Sequence, residues 1–159
     1  TGFALLKNGI PIFTSTVDVG GDMITRSVSE KLDLDPVETE RFKNDEGLQT
    51  TRKNVGPVMD VMTATATSLS NEISKHFHYW DTRRDSRGER VTPVGRVLLV
   101  GGSSNLKGLA DFVASKVQAP VECGDVWRNI STFDDYIPPI DVRTSLQFAT
   151  AVGLALRGI

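Results

Sequence analysis

Residues 96–109 read RVLLVGGSSNLKGL, and this stretch decides the fold class of the chain. The apolar run at 96–100 predicts a strand that is buried on both faces. A helix is predicted to follow at about 106–117, and its N-terminus would offer free N–H groups beside the glycines. Because glycine has no side chain, a ligand could approach the backbone here. The alternative is a tight turn that needs glycine only for its conformation.

The chain begins with the pattern of a β-hairpin. Residues 3–6 form a short apolar run, Asn8-Gly9 is a turn signal, and residues 10–19 resume a strand. An Asn-Gly pair between apolar runs favours a two-residue turn because both positions must tolerate positive φ. The second strand is predicted to stop at Gly20-Gly21.

Residues 22–48 have the pattern of a small, charged pair of helices. Apolar residues spaced four apart predict the first helix at 23–32. Asp35 is a favourable N-cap for the second helix, and Pro36 is favourable at its first position. Gly47 is favourable as the residue that follows the end of this helix.

The rest of the chain alternates helix and strand. Apolar spacing of three and four residues predicts the longest helix at 57–80, residues 120–123 are typical of a short strand, and a small-residue helix is predicted at 145–157. We therefore predict an α/β fold with a mixed sheet and a helical insertion at 22–48.

Composition limits the classes of function. The chain has 159 residues, enough for one domain, and 39% of them are hydrophobic, enough for a sizeable core. Its 18 basic and 20 acidic residues give a formal charge of −2, which argues against a general nucleic-acid binder. A single cysteine excludes an internal disulfide, and no apolar stretch approaches the roughly 20 residues of a membrane span.

Other chemistry finds weaker support in the sequence. Glu122 lies about twenty residues beyond the glycines, as in dinucleotide-binding proteins, but glycines at 101, 102 and 108 do not form a G-x-G-x-x-G motif. His76 and His78 would point in divergent directions on a helix, so a shared metal site is not expected. Cys123 has no evident base partner, and we expect a buried structural thiol.

Glu40 and Lys43 are three residues apart in the second predicted helix and therefore share a face. Taken alone, the pair indicates either an ordinary solvated ion pair or a contact with a ligand. The other charged side chains of this helix favour the solvated pair.

The order of the motifs resembles the second half of an actin-like ATPase. Gly-Gly-x-x-Ile-Thr at 20–25 precedes Glu-x-x-Lys at 40–43, the long helix, Leu-Leu-Val-Gly-Gly-Ser-Ser-Asn at 98–105 and Ala-Val-Gly-Leu-Ala-Leu-Arg-Gly at 151–158. Within that superfamily the chain is most similar to the PilM family of type IV pilus assembly proteins, which is related to the cell-division protein FtsA. The resemblance extends over essentially the whole chain.

The resemblance implies a ribonuclease-H-like subdomain IIA at 1–21 and 49–159, with a helical subdomain IIB at 22–48 inserted in it. ATP or ADP with Mg²⁺ would sit in the cleft between this lobe and a first lobe. The loop after the apolar strand would contact the adenosine, the Glu-x-x-Lys pair would lie over the nucleoside, and the Gly-Gly pair would lie near the cleft floor. The implied nucleotide-binding residues are Gly20, Gly21, Glu40, Lys43, Gly101, Gly102, Ser103 and Asn105.

Parts of the family's nucleotide site have no counterpart in this sequence. The second phosphate loop, an Asp-x-Gly turn, would lie just before Thr1, and the first lobe carries another phosphate loop and the usual catalytic acid. We therefore expect at most a slow ATPase in the full-length protein and no hydrolysis by this chain alone. Strand edges that lack a partner would also invite self-association.

The resemblance implies a role in assembly. A PilM-like protein would work in the cytoplasm, peripheral to the inner membrane, and its first lobe would receive an inner-membrane, PilN-like partner. Neither nucleic acid nor direct insertion in the membrane is expected. Two alternatives stay open: an interaction scaffold without useful nucleotide affinity, and an FtsA-like cell-division filament protein. The second is less favoured, because no amphipathic membrane-targeting helix closes the sequence.

Overall fold

The computed structural model describes residues 1–89, 93–128, 130, 134 and 136–157. The chain begins with an antiparallel hairpin of strands β1 (Gly2–Lys7) and β2 (Ile10–Thr16). Asn8 and Gly9 have φ angles of 53° and 79°, the positive values that the two-residue turn requires. The predicted hairpin is confirmed, although β2 ends three residues earlier than predicted.

Two helices follow the hairpin. Helix α1 comprises Gly21–Leu32 and helix α2 comprises Pro36–Asp45. The Asp35 carboxylate accepts a hydrogen bond of 2.8 Å from the Glu38 N–H, so the predicted N-cap is confirmed. A 3₁₀ turn at Gly47–Gln49 closes this segment, which agrees with the prediction that α2 ends before Gly47.

Helix α3 (Gly56–Thr82) is the longest, at 27 residues. Neither α3 nor any other helix in the described part of the chain is long and apolar enough to cross a membrane. Strand β3 (Val97–Leu99) follows and pairs in parallel with strand β4 (Val121–Cys123). Between them lie a 3₁₀ turn at Gly102–Asn105 and helix α4 (Leu109–Val117).

Helix α4 starts three residues later than predicted. Gly108, its N-cap, has a left-handed φ of 83°, and this conformation cannot belong to a right-handed helix. Residues 106–108 connect the 3₁₀ turn at Gly102–Asn105 to α4 and belong to neither. The structure therefore places a short, tight segment where the sequence predicts the start of a regular helix.

The chain ends in three short helical pieces instead of the predicted single helix. Helix α5 (Val142–Ser145) leads through a 3₁₀ turn at Leu146–Phe148 into helix α6 (Ala149–Ala155). The helical segment begins earlier than predicted because the Asp141 carboxylate accepts a hydrogen bond of 2.8 Å from the Thr144 N–H and caps α5.

The core forms around α3, and α1, α2 and α4 contribute buried side chains to it. Its buried members come from all four helices, so the helices of 22–48 share one continuous core with the rest of the fold. The cluster comprises Ile24, Val28, Phe42, Val58, Met62, Ala66, Ile73, Leu106, Leu109, Val113 and Val117. Burial of this apolar surface is the main stabilising contribution to the fold.

The prediction that the strand of 96–100 is buried on both faces is wrong. Val97 and Leu99 pack against the core, whereas Leu98 is 51% exposed and Val100 is 60% exposed. Successive side chains of a strand point to opposite faces, and the helices cover only one face of β3. The prediction of one mixed sheet is also wrong for the described part of the chain, because β1–β2 form an antiparallel sheet and β3–β4 a separate parallel one. The predicted α/β class is confirmed, since helices and both kinds of strand pair are present.

Candidate functional site

A cleft of about 510 Å³ lies where α2, the 3₁₀ turn after β3 and the C-terminal helical segment meet. Its volume is within the range of about 300–1,000 Å³ that is typical of small-molecule sites. We call it the α2 cleft, and its lining comprises Glu40, Asn44, Asp45, Gly102, Asn105, Asp141, Arg143, Thr144 and Gln147.

The turn after β3 is held by hydrogen bonds within it and to the C-terminal helical segment. Gly101 has a φ of 99°, which only glycine adopts readily, and its carbonyl accepts hydrogen bonds from the N–H and the hydroxyl of Ser104 at 3.0 and 2.6 Å. The Gly101 N–H donates to the Leu146 carbonyl at 3.0 Å, and the Asn105 amide donates to the Arg143 carbonyl at 2.7 Å. These bonds fix Gly102 and Asn105 in the wall of the α2 cleft.

Helix α2 places Glu40 at the cleft and Lys43 behind it. The Lys43 ammonium lies 2.7 Å from the Glu40 carboxylate and donates to the Thr25 hydroxyl, also at 2.7 Å. Only 5% of the Lys43 side chain is accessible, whereas 52% of the Glu40 side chain is. The Thr25 hydroxyl in turn donates to the Gly21 carbonyl at 3.0 Å. A buried cation therefore fixes a carboxylate that keeps free acceptor capacity toward the cleft.

Gly20 and Gly21, the Gly-Gly pair before α1, have different neighbours. A Cβ on Gly21 would lie 1.7 Å from the Ser103 hydroxyl oxygen, so the start of α1 lies directly against the turn after β3. Gly20 is the N-cap of α1 and lies beside Thr1, outside the lining of the α2 cleft. Of the eight nucleotide-binding residues that the resemblance implies, the structure places Glu40, Gly102 and Asn105 in the cleft lining. Lys43, Gly21, Gly101 and Ser103 lie in contact with that wall or continue it.

Sequence reasoning missed the remaining lining residues. Asn44 could have been found, because it is four residues from Glu40 and so lies on the same face of α2. Arg143, Thr144 and Gln147 carry no local signal that relates them to α2, since they come close to it only in the folded chain.

The α2 cleft is more acidic than basic. The carboxylates of Glu40, Asp45 and Asp141 line it together with one guanidinium, that of Arg143. Hydrogen bonds from the N–H and the hydroxyl of Thr144 lower the pKa of Asp141 below its ordinary value of 3.8. Asp141 therefore carries its negative charge throughout the neutral range.

The other candidate residues of the sequence lie outside the lining of the α2 cleft. The His76 ring lies 5.1 Å from the Phe3 ring and 5.3 Å from the Phe13 ring. His78 lines a separate, open groove beside α3. Glu122 forms an exposed ion pair of 2.9 Å with Arg96. Within the described ranges no group of three or more His, Cys, Asp or Glu side chains could hold a metal ion.

The prediction that Cys123 is a buried thiol is wrong, because the residue is exposed at the C-terminal end of β4. Its sulfur lies 3.4 Å from the Ser104 carbonyl oxygen. Local desolvation nevertheless raises the pKa of the thiol, although the Arg143 guanidinium acts in the opposite direction. The raised pKa disfavours the reactive thiolate.

Comparison with known proteins places this geometry in a family. A family model for the type IV pilus assembly protein PilM matches residues 1–159. The fold is similar to a chain of a solved "PilM-PilN type IV pilus biogenesis complex", with a TM-score of 0.68 and 21% sequence identity. That match covers 99% of this chain and 42% of the solved chain, so this chain spans less than half of its length. Comparison with curated proteins gave no match. The chain belongs to the family of the type IV pilus assembly protein PilM.

Proposed function

We propose that this chain is one lobe of an actin-like, ATP-binding scaffold for type IV pilus assembly, and that the α2 cleft holds the adenosine of ATP or ADP. Membership of the PilM family supports the assembly role. The observation that carries nucleotide binding is that Glu40, Gly102 and Asn105, from two elements distant in sequence, line one cleft.

The chemistry of the lining suits a nucleoside. Gly102 is exposed and has no side chain, so a flat base can approach the backbone at this point. The Asn44 and Asn105 amides can each donate and accept hydrogen bonds at the edge of a base, and the Glu40 carboxylate can accept hydrogen bonds from ribose hydroxyls. The Lys43 ammonium, 2.7 Å from the Glu40 carboxylate, holds that carboxylate in position for this contact.

In this proposal the chain forms subdomain IIA at 1–21 and 49–159, and α1 and α2 form subdomain IIB at 22–48. The two helices of 22–48 stand between β2 and α3 in the chain, which supports the division. The phosphates, with Mg²⁺, are held in a longer protein that closes around the cleft. One ligand that bridges two lobes favours the closed state over the open one.

The proposed output is assembly with a partner. The solved complex contains PilN, and we propose that a PilN-like inner-membrane protein binds the longer protein through its first lobe. The scaffold is then cytoplasmic and is held at the inner membrane by that partner. Turnover of ATP is slow in the full-length protein, and this chain alone does not hydrolyse it.

Titration with adenosine and ADP tests the cleft, with binding followed by the backbone amide signals of the isotope-labelled chain. We expect both ligands to shift the Gly102 and Asn105 signals. A Gly102→Glu variant should abolish the response, because it adds bulk and a further negative charge to the lining. Gly95→Glu is the matched control, since Gly95 is exposed and a Cβ there meets nothing within 4 Å. Equal responses from wild type and Gly102→Glu, or shifts confined to other residues, would refute the proposal.

A scaffold that has lost useful nucleotide affinity is the second candidate function. The acidic lining favours it, because three carboxylates repel the phosphates of a nucleotide. ATP binding by the full-length protein separates the two candidates, because a wild-type protein without measurable ATP affinity supports the scaffold. Where wild type binds ATP, a loss of affinity in Lys43→Ala supports the nucleoside contact of the Glu40–Lys43 pair, and unchanged affinity contradicts that contact.

A further inference from the structure

The C-terminal end of α2 is held from outside the helix at three consecutive carbonyls. The Lys43 carbonyl accepts a hydrogen bond of 3.1 Å from the Lys107 N–H. The Asn44 carbonyl accepts one of 3.0 Å from the Arg143 guanidinium, and the Asp45 carbonyl accepts one of 2.7 Å from the Lys107 ammonium. The last carbonyls of a helix have no partner within the helix and carry partial negative charge, so two cationic side chains are well suited to this position.

Arg143 also reaches the opposite wall of the α2 cleft. The nitrogen that donates to Asn44 lies 3.4 Å from the Asn105 carbonyl oxygen, and the Asn105 amide donates back to the Arg143 carbonyl at 2.7 Å. Arg143 itself stands in α5, whose first turn the Asp141 carboxylate caps. One side chain therefore joins the end of α2, the turn after β3 and the C-terminal helical segment.

We propose that Arg143 is a positioning residue of the α2 cleft. Its guanidinium sets the separation between the C-terminal half of α2, which carries Glu40 and Asn44, and the wall that carries Asn105. Lys107 supports the last turn of α2 through a second charged hydrogen bond. The prediction for ligand binding rests on the proposed nucleotide function. The hydrogen bonds of Arg143 to α2 and to the turn after β3, which we call the Arg143 bridge, do not depend on any ligand.

A local change in stability follows from the bridge. The hydrogen bond of the Leu48 N–H to the Lys107 carbonyl, at 2.9 Å, follows directly after the bridged turn. A hydrogen bond to a charged group stabilises more than a neutral one, and exposure to solvent reduces that contribution here. Arg143→Gln should therefore speed hydrogen exchange at the Glu46 and Leu48 amides by about fivefold to tenfold, while the amides of α3 keep their rates.

The variants are chosen so that charge and geometry can be separated. Arg41→Gln is the matched control, because it removes the same charge from an exposed position of α2 itself. Arg143→Lys keeps the charge but replaces the planar guanidinium by a compact ammonium with a different geometry, so it should restore part of the protection. It also serves as the informative variant if Arg143→Gln fails to fold.

The ligand arm uses adenosine and ADP as probes. A positioning residue acts through the walls, so Arg143→Gln should weaken both ligands by the same factor of about ten, and Arg143→Lys by less. Loss of ADP affinity alone would show that Arg143 contacts phosphate directly and would overturn the proposal. The proposal is also overturned if Arg143→Gln leaves the exchange rates of the Glu46 and Leu48 amides unchanged. It is overturned as well if Arg41→Gln speeds exchange at these amides equally. If wild type binds neither ligand, the proposed function fails. The hydrogen-exchange rates at Glu46 and Leu48 then still test whether Arg143 joins the two walls.

Discussion

Replacement of Gly21 by alanine tests the contact that joins α1 to the turn after β3. Gly21 is the first residue of α1 and does not have a positive φ, so alanine suits its backbone conformation. The added Cβ, however, would lie 1.7 Å from the Ser103 hydroxyl oxygen and 2.6 Å from the Ser103 Cβ. A change of rotamer can move the oxygen, but only a backbone shift can move the Ser103 Cβ.

The expected cost is a balance of two effects. Overpacking of this kind costs about 1–3 kcal/mol, since either α1 or the turn must shift. Alanine in a helix regains up to about 1 kcal/mol relative to glycine. We therefore expect Gly21→Ala to lower the free energy of unfolding by about 1–2 kcal/mol, which corresponds to a fall of roughly 0.5–1 M in the urea midpoint.

Urea unfolding of a set of variants measures this cost and assigns it to one contact. Gly56→Ala is the matched control, because Gly56 is the first residue of α3 and a Cβ there meets nothing within 4 Å. It should be neutral or stabilising. In the Gly21→Ala background, Ser103→Ala should recover little, whereas Ser103→Gly leaves only the Ser103 Cα at 3.8 Å and should recover most of the loss. The coupling in the double-mutant cycle should be about 1–2 kcal/mol.

The reasoning fails if Gly21→Ala unfolds at the same urea concentration as wild type. The new glycine in Ser103→Gly itself costs about 0.5–1 kcal/mol. The reasoning also fails if, with that cost allowed for, the double variant Gly21→Ala with Ser103→Gly is no more stable than Gly21→Ala alone. Either result would mean that α1 does not press against the turn after β3. The Gly21 and Ser103 positions of the proposed site would then be separate.

Three further predictions concern the core, a helix cap and acid stability. Met62→Ala should cost about 2–5 kcal/mol in urea unfolding, because the Met62 side chain is fully buried in the centre of the core. Asp35→Ala should cost about 1 kcal/mol in the same assay, since the Glu38 N–H loses its cap. Asp141 has a lowered pKa in the folded state, so its contribution to stability is complete above the ordinary value of 3.8 and is lost as the pH falls through the lower folded value. Wild type should therefore lose more stability than Asp141→Asn between about pH 6 and pH 2, and equal losses would contradict this.

Much of the local structure could be predicted from short stretches of sequence. The Asn8-Gly9 turn and the Asp35-Pro36 helix start appear where the pattern places them, because turn and cap chemistry act between neighbouring residues. The pairing of Glu40 with Lys43 is likewise a consequence of helical spacing. Three of the residues that the resemblance to actin-like proteins implies, Glu40, Gly102 and Asn105, line one cleft.

The sequence by itself determined the hairpin, the caps, the core face of α3 and the family of the chain. Only the tertiary structure decided that Lys43 is buried behind Glu40, that Leu98 faces solvent and that Arg143 joins both walls of the cleft. The physical reason is that periodicity and turn chemistry report contacts between neighbours in the chain. Contacts such as that of Arg143 with Asn44 are set by how the helices pack around α3, and no local pattern records that packing.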